Sequence, residues 1–185
     1  MMTWIILGVV LLLVFIWIGI YNGLVKSRNW IEESWSQIDV QCKRRLDLIP
    51  NLVEVTKSYA KYEKETLERV IQARNQLVNN DSLSREEIMA QNDALSNSLK
   101  SIFALSESYP ELKAQASYQT VSEELIGTEN KIAYARQLYN ATANKYNIKI
   151  QTVPSNIVAA VHGFKKHALL EATAEERQAV RVSFE

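Results

Sequence analysis

The chain opens on an apolar run that decides its solvent. Residues Trp4 to Tyr21 read WIILGVVLLLVFIWIGIY, eighteen consecutive positions without a charge. At about 1.5 Å per residue a helix of that length spans roughly 27 Å, close to the ~30 Å hydrocarbon core of a bilayer. A helix is also the only conformation in which one lone segment satisfies its own backbone polar groups in lipid. Trp4 stands at one end and Trp17 and Tyr21 at the other, the spacing expected of aromatic anchors in the two interfacial zones. A cleaved signal peptide would also be apolar, but it carries a basic n-region, a shorter run and a small-x-small cleavage site. Met1-Met2-Thr3 has no basic side chain, and Gly19-Ile20-Tyr21-Asn22-Gly23 is a poor cleavage site. Residues 1–22 therefore read as a retained transmembrane anchor.

Lys26 and Arg28 follow the run closely, and only the terminal amine precedes it. Basic residues favour the cytoplasmic side, so the chain is expected in the cell membrane with its N-terminus outside and the remainder in the cytoplasm. Of 185 residues, about 160 lie beyond the anchor, enough for one domain. The 21 basic and 21 acidic residues cancel, which argues against nucleic acid as a partner. Only 5 Gly and 3 Pro are present, a scarcity of breakers that suits long helices. A single Cys excludes an intrachain disulfide.

Helical periodicity continues past the anchor. Asn22-Gly23 is a weak point for a bend, after which Leu24, Ile31, Trp35, Ile38, Cys42, Leu46 and Ile49 mark one face. Pro50 lacks an N–H, and its ring would strike the carbonyl of Leu46, which predicts a turn or sharp kink there. A second helix is expected from Asn51 to Asn79, with the seam Leu52, Thr56, Tyr59, Glu63, Thr66, Val70, Ala73, Leu77 and an outer pair Glu65–Arg69. After a loop at Asn79–Ser82, Ser84 and Glu87 form a capping box for a third helix bearing Ile88, Asn92, Leu95, Leu99, Ile102 and Leu105. Pro110 starts a fourth, whose seam Tyr118, Val121, Leu125, Thr128, Ile132, Ala135, Tyr139, Thr142, Tyr146 steps by 3 or 4 without a break. Gly127 beside this seam is either a point of close helix approach or merely tolerated. Beyond Pro154, Ser155–Val161 forms one or two helical turns ending at Gly163, and Ala174–Val180 is a candidate short helix in an irregular tail. The expected fold is all-α: an anchor over 1–22, an elongated antiparallel four-helix bundle over 23–153, and a C-terminal short helix and tail over 154–185.

Several motifs along this framework resemble the LemA family of bacterial membrane-anchored proteins. They are Tyr21-Asn22-Gly23-Leu24-Val25, Trp35-Ser36-Gln37-Ile38-Asp39-Val40, and the run from Arg44 through Asp47, Pro50 and Asn51 to Val53. Further on come Ala73-Arg74-Asn75, Thr128-Glu129-Asn130 through Arg136, Tyr139-Asn140, Tyr146-Asn147, Pro154-Ser155-Asn156 and Gly163-Phe164. Val153 departs from the Phe that the family usually places before this Pro. The resemblance covers the whole chain and implies a membrane helix followed by a four-helix bundle. It implies no reaction.

The residues supply no reaction either. His162 and His167 belong to no Glu-x-x-His or His-Glu-x-x-His arrangement, so neither a di-iron nor a zinc-peptidase centre has its ligands, and no metal or cofactor is expected. Cys42 falls on an inner seam and reads as a buried, inert thiol. Glycine-rich phosphate loops and Gly-x-Ser-x-Gly are absent. The motif residues Arg45, Asp47, Asn51, Arg74, Asn75, Glu129, Asn130 and Arg136 lie close to apolar seams, and with Pro50, Asn140 and Asn147 they form the candidate structural set. A ligand or partner site between helices is one reading; a paired internal network that sets helix register is favoured. Within it, Glu129 is expected to pair with Arg74, Arg136 or both. Tyr139 and Tyr146 read as core. The expected function is a non-enzymatic, single-pass adaptor or scaffold, with the lipid bilayer and proteins, copies of itself included, as partners. The alternative is a sensor that binds a small molecule between helices, which needs a pocket with convergent polar groups. A hydrolase would need a clustered nucleophile or acid–base set.

Overall fold

The computed structural model describes residues 1–60, 63–80 and 82–171. The candidate helix at 174–180 lies outside them. The described residues form six helices: α1 Met2–Tyr59, α2 Lys64–Val78, α3 Arg85–Glu107, α4 Pro110–Lys113, α5 Ala116–Lys149 and α6 Ser155–Val161. No strand occurs among the described residues. The chain divides into two compact units, one of Met1–Gln37 with Ala135–Leu169, the other built on Ile38–Tyr134.

α1 corrects two expectations. It passes Asn22-Gly23 unbroken, and it continues through Pro50 to Tyr59. α1 ends at Tyr59 and α2 begins at Lys64, so the helix predicted over 51–79 is two pieces, one the end of α1 and the other α2. The expected seam is kept in α2, with Val70, Ala73 and Leu77 on the core. Thr66 is half-buried, and Leu67, outside the expected seam, joins Val70 in the core. The pair Glu65–Arg69 does not form; Arg69 reaches the Thr66 hydroxyl instead, at 3.5 Å.

The remaining boundaries follow local chemistry. At α3, the Ser84 hydroxyl accepts the Glu87 N–H at 3.2 Å, and the Glu87 carboxylate accepts the Ser84 N–H at 2.8 Å, completing the capping box. Pro110 occupies the first turn of α4, a single turn, and α5 follows it after a short break. α6 ends in a Schellman turn: Gly163 takes φ +69°, the Phe164 N–H reaches the Ala159 carbonyl at 2.9 Å, and the Gly163 N–H reaches Ala160 at 3.3 Å. Gly127 meets open space, so it is tolerated and marks no close approach.

Each unit has its own core. In the second, Ile49 and Leu52 of α1, Leu67 and Val70 of α2, Leu95, Leu99 and Ile102 of α3, Leu112 of α4, and Tyr118 and Leu125 of α5 form one cluster. In the first, Leu24 packs against Val158 and Ala159 of α6, flanked by Ile20, Ile150 and Phe164. Tyr139 and Tyr146 are buried there, at 1% exposure each. The apolar run is bare: none of its membrane-length window is buried, and Leu12 and Phe15 are 59% and 71% exposed.

Candidate functional site: the juxtamembrane unit

A densely tied region of the first unit lies where the apolar run ends. Gly23 lacks a side chain on the face that meets the end of α5. The Lys149 ammonium fills that space, donating to the Gly23 carbonyl at 2.8 Å and to the Ser27 hydroxyl at 3.2 Å, while Ser27 donates to the same carbonyl at 2.8 Å. A Cβ at Gly23 would stand 2.9 Å from Lys149 Nζ. A cation at the C-terminal end of α5 also suits the helix dipole. Ser155 secures the next element, its hydroxyl reaching the carbonyl of Lys149, the last residue of α5, at 2.6 Å and that of Thr152 at 3.0 Å.

Aromatic groups close the same region. The Trp17 indole N–H donates to His162 Nε2 at 3.2 Å, and the Tyr21 ring stacks at a tilt on His162 with centroids 4.6 Å apart. Tyr21 also meets Phe164 edge-on at 5.9 Å, and the Arg28 guanidinium lies 5.5 Å from the Phe164 ring centroid. Beyond Phe164 the chain forms a strap. Asn147 holds it in both directions, donating to the His167 carbonyl at 2.8 Å and accepting the His167 N–H at 3.0 Å. Tyr139 and Tyr146 donate to the carbonyls of Ala168 and Lys165, at 3.3 and 3.1 Å. Burial pushes the Tyr146 phenol above its ordinary pKa, a shift the nearby Arg28 charge partly offsets, so the hydroxyl stays a donor.

A groove of about 330 Å³ runs along this unit between α1 and α5, lined by Trp30, Ser34, Gln37, Leu138, Thr142 and Lys145 among others. Ser34 donates to the Trp30 carbonyl at 2.8 Å and approaches the Thr142 hydroxyl at 3.4 Å. Charge is concentrated here. Lys26, Arg28, Arg136, Lys145, Lys149, Lys165 and Lys166 face only Glu32 and Glu33 as acids in this unit. The neutrality of the whole chain conceals this surplus.

In the second unit the motif residues form two separate nodes. Arg45, 2% exposed, pairs with the Glu129 carboxylate, and both hold the Ser96 hydroxyl, at 3.0 Å from each. Glu129 itself is 47% exposed. The pairing expected with Arg74 is absent, because that guanidinium is engaged elsewhere. Arg74 Nε donates to the Leu46 carbonyl at 3.0 Å, and Nη1 approaches the Asn75 side-chain Oδ1 at 3.4 Å. Leu46 is the residue whose helical donor Pro50 lacks, so Arg74 replaces the missing N–H and α1 continues. Arg136 is buried at 5% exposure, Asn140 is half-buried, and Asp47, Asn51 and Asn130 are exposed. Cys42 is buried at 4% exposure. Among the described residues no group of three or more His, Cys, Asp or Glu is placed to hold a metal ion.

Two ties carried readable signals. Arg45 stands at a seam position between Ile38, Cys42 and Ile49, and Asn147 follows the buried Tyr146. The Lys149–Gly23 and Trp17–His162 contacts had none, being 126 and 145 residues apart in sequence.

Residues 34–184 match the sequence model of the LemA family. The chain belongs to the LemA family. Protein LemA of Metamycoplasma hominis is 32% identical over 171 residues, covering 91% of this chain and 77% of that relative. Magnetosome protein MamQ 2 of Paramagnetospirillum magneticum and magnetosome protein MamQ of Magnetospirillum gryphiswaldense are each 25% identical over 170 residues. Those matches cover 79% of this chain, which spans 62% of the length of each magnetosome protein. None of these names carries an enzymatic function. Among its described residues this LemA-family chain is all-helical, with one helix long and apolar enough to cross a membrane.

Proposed function

We propose that this LemA-family chain is a single-pass membrane adaptor or scaffold without catalytic activity, its helical domain an antiparallel four-helix bundle held at the cytoplasmic face. The observation that carries the reading is α1 itself. Its first third is wholly unburied and fit for lipid, and the same helix contributes Leu24 to one core and Ile49 and Leu52 to the other. The surplus of Lys and Arg in the unit that follows the run supports a cytoplasmic orientation. Exposed aromatic surface supports protein contacts: Tyr134 is 69% and Trp30 43% exposed.

Two measurements test this. In alkaline carbonate the full-length chain is expected to remain with the membrane, and its release would remove the anchor. A photocrosslinking amino acid at Tyr134 in living cells is expected to give discrete protein adducts, copies of the chain included. Failure to form any adduct there would overturn the adaptor role for this surface.

A further inference from the structure

The apolar residues of α6 divide into two sets. Val158 and Ala159 are buried on Leu24, whereas Ile157 and Val161 are 54% and 66% exposed, and Val153 just before the helix is 78% exposed. Ile157 and Val161 are four residues apart and share a face. Nothing in the first unit covers them. Their position relative to the bilayer is set by what the opposite face touches. His162, the residue after α6, accepts the Trp17 indole N–H at 3.2 Å and stacks on Tyr21. Ile20 packs against the same small core. Trp17, Ile20 and Tyr21 are all within the apolar run, in its last two turns, the zone where aromatic anchors meet headgroups. Trp17 lies about 6 Å along the helix axis from Tyr21, toward the bilayer centre. A group bonded to Trp17 therefore cannot stand clear of the interface when the run is inserted. The surrounding charge fits as well, since Lys26, Lys165 and Lys166 flank this region and the chain has no acidic residue before Glu32.

We propose that α6 is a second membrane contact, its Ile157–Val161 face and the preceding Val153 seated among the headgroups and upper acyl chains of an anionic leaflet. Short amphipathic elements bind such interfaces through buried apolar area together with attraction between basic side chains and acidic lipids. The inference rests on the inserted-anchor reading. The bilayer is the occupant because the opposite face of α6 is already fastened to the end of the span.

The test uses the full-length chain in vesicles of phosphatidylcholine and phosphatidylglycerol that contain a lipid with a photoreactive group near the headgroup. Adducts are mapped by mass spectrometry. Adducts are expected both within 4–21 and within 153–161. Adducts in the span alone would overturn the α6 contact and leave the anchor standing; their absence from both segments would overturn both. Replacing two exposed residues, Ile157→Asp with Val161→Asp, is expected to lower the yield at 153–161 several-fold without changing that of the span. An unchanged yield at 153–161 would show that these side chains do not meet lipid.

Discussion

At the residue scale, the most instructive group is the Leu46 carbonyl. A proline inside a helix costs about 3 kcal/mol or more, through its lost hydrogen bond and its clash. Arg74 meets the first part of that cost from another helix, 28 residues away. Arg74→Met is expected to destabilise the folded chain by about 1–2 kcal/mol, the range for a carbonyl stripped of its partner. In a Pro50→Ala background the helix regains its own donor, so the same substitution should cost markedly less. A double-mutant cycle by denaturant unfolding in mild detergent measures the difference, and equal losses in both backgrounds would refute the pairing. The Arg45–Glu129 pair behaves differently because one partner is buried and the other half-exposed. Glu129→Gln keeps the shape and leaves the guanidinium with Ser96 and a neutral amide. A loss of about 1.5–3 kcal/mol is expected, typical of a hydrogen bond to a charged group. The outcome should fall short of the ~3–5 kcal/mol of a fully buried pair, since water reaches the carboxylate side.

At the element scale, the start of α3 is held by a box that senses pH. The Glu87 carboxyl is held below its ordinary pKa, chiefly by the Ser84 backbone N–H and next by the Ser84 hydroxyl. A depressed folded-state value means that the stabilisation is fully present above the unfolded carboxylate pKa. It is lost as pH falls through the folded value. Helix protection at residues 85–90, read by hydrogen exchange, should therefore weaken on acidification in the wild type. In Glu87→Gln this component of the pH dependence should vanish. Ser84→Ala should cost about 1 kcal/mol at neutral pH and less in acid, where its hydroxyl no longer meets a charged Glu87. This element was legible because its whole mechanism spans four residues. The seams of α3 and α5 were legible for a similar reason: Leu95, Leu99 and Ile102, or Leu125, Ile132 and Tyr139, declare their face by spacing alone. Pro50 misled for the opposite reason. Its local penalty is readable, whereas burial of Ile49 and Leu52 and the reach of Arg74 depend on helices that the local pattern does not display. The polar set was legible as residues and not as pairings. Arg45, Ser96 and Glu129 meet only after three helices are in place.

At the scale of the whole molecule, bulk neutrality hid the uneven placement of charge, because composition has no geometry. The basic surplus of the juxtamembrane unit predicts topology. A cysteine at Lys145, in a Cys42→Ser background, should be shielded from an impermeant thiol reagent in intact cells and react after lysis. Labelling without lysis would place this unit outside. The bond between Trp17 and His162 has a further consequence, one of timing. The two residues are 145 positions apart. At synthesis rates of about 5–20 residues per second, His162 is made roughly 7–30 s after Trp17. Throughout that interval Ile20 and Leu24 lack the cover that α6 later provides, and the insertion machinery meets a longer apolar surface than the finished protein shows. The juxtamembrane unit thus closes only on a chain translated through its strap. A ribosome that stops before residue 155 releases a product with this flank still bare, a surface that cellular proteolysis can read as unfinished.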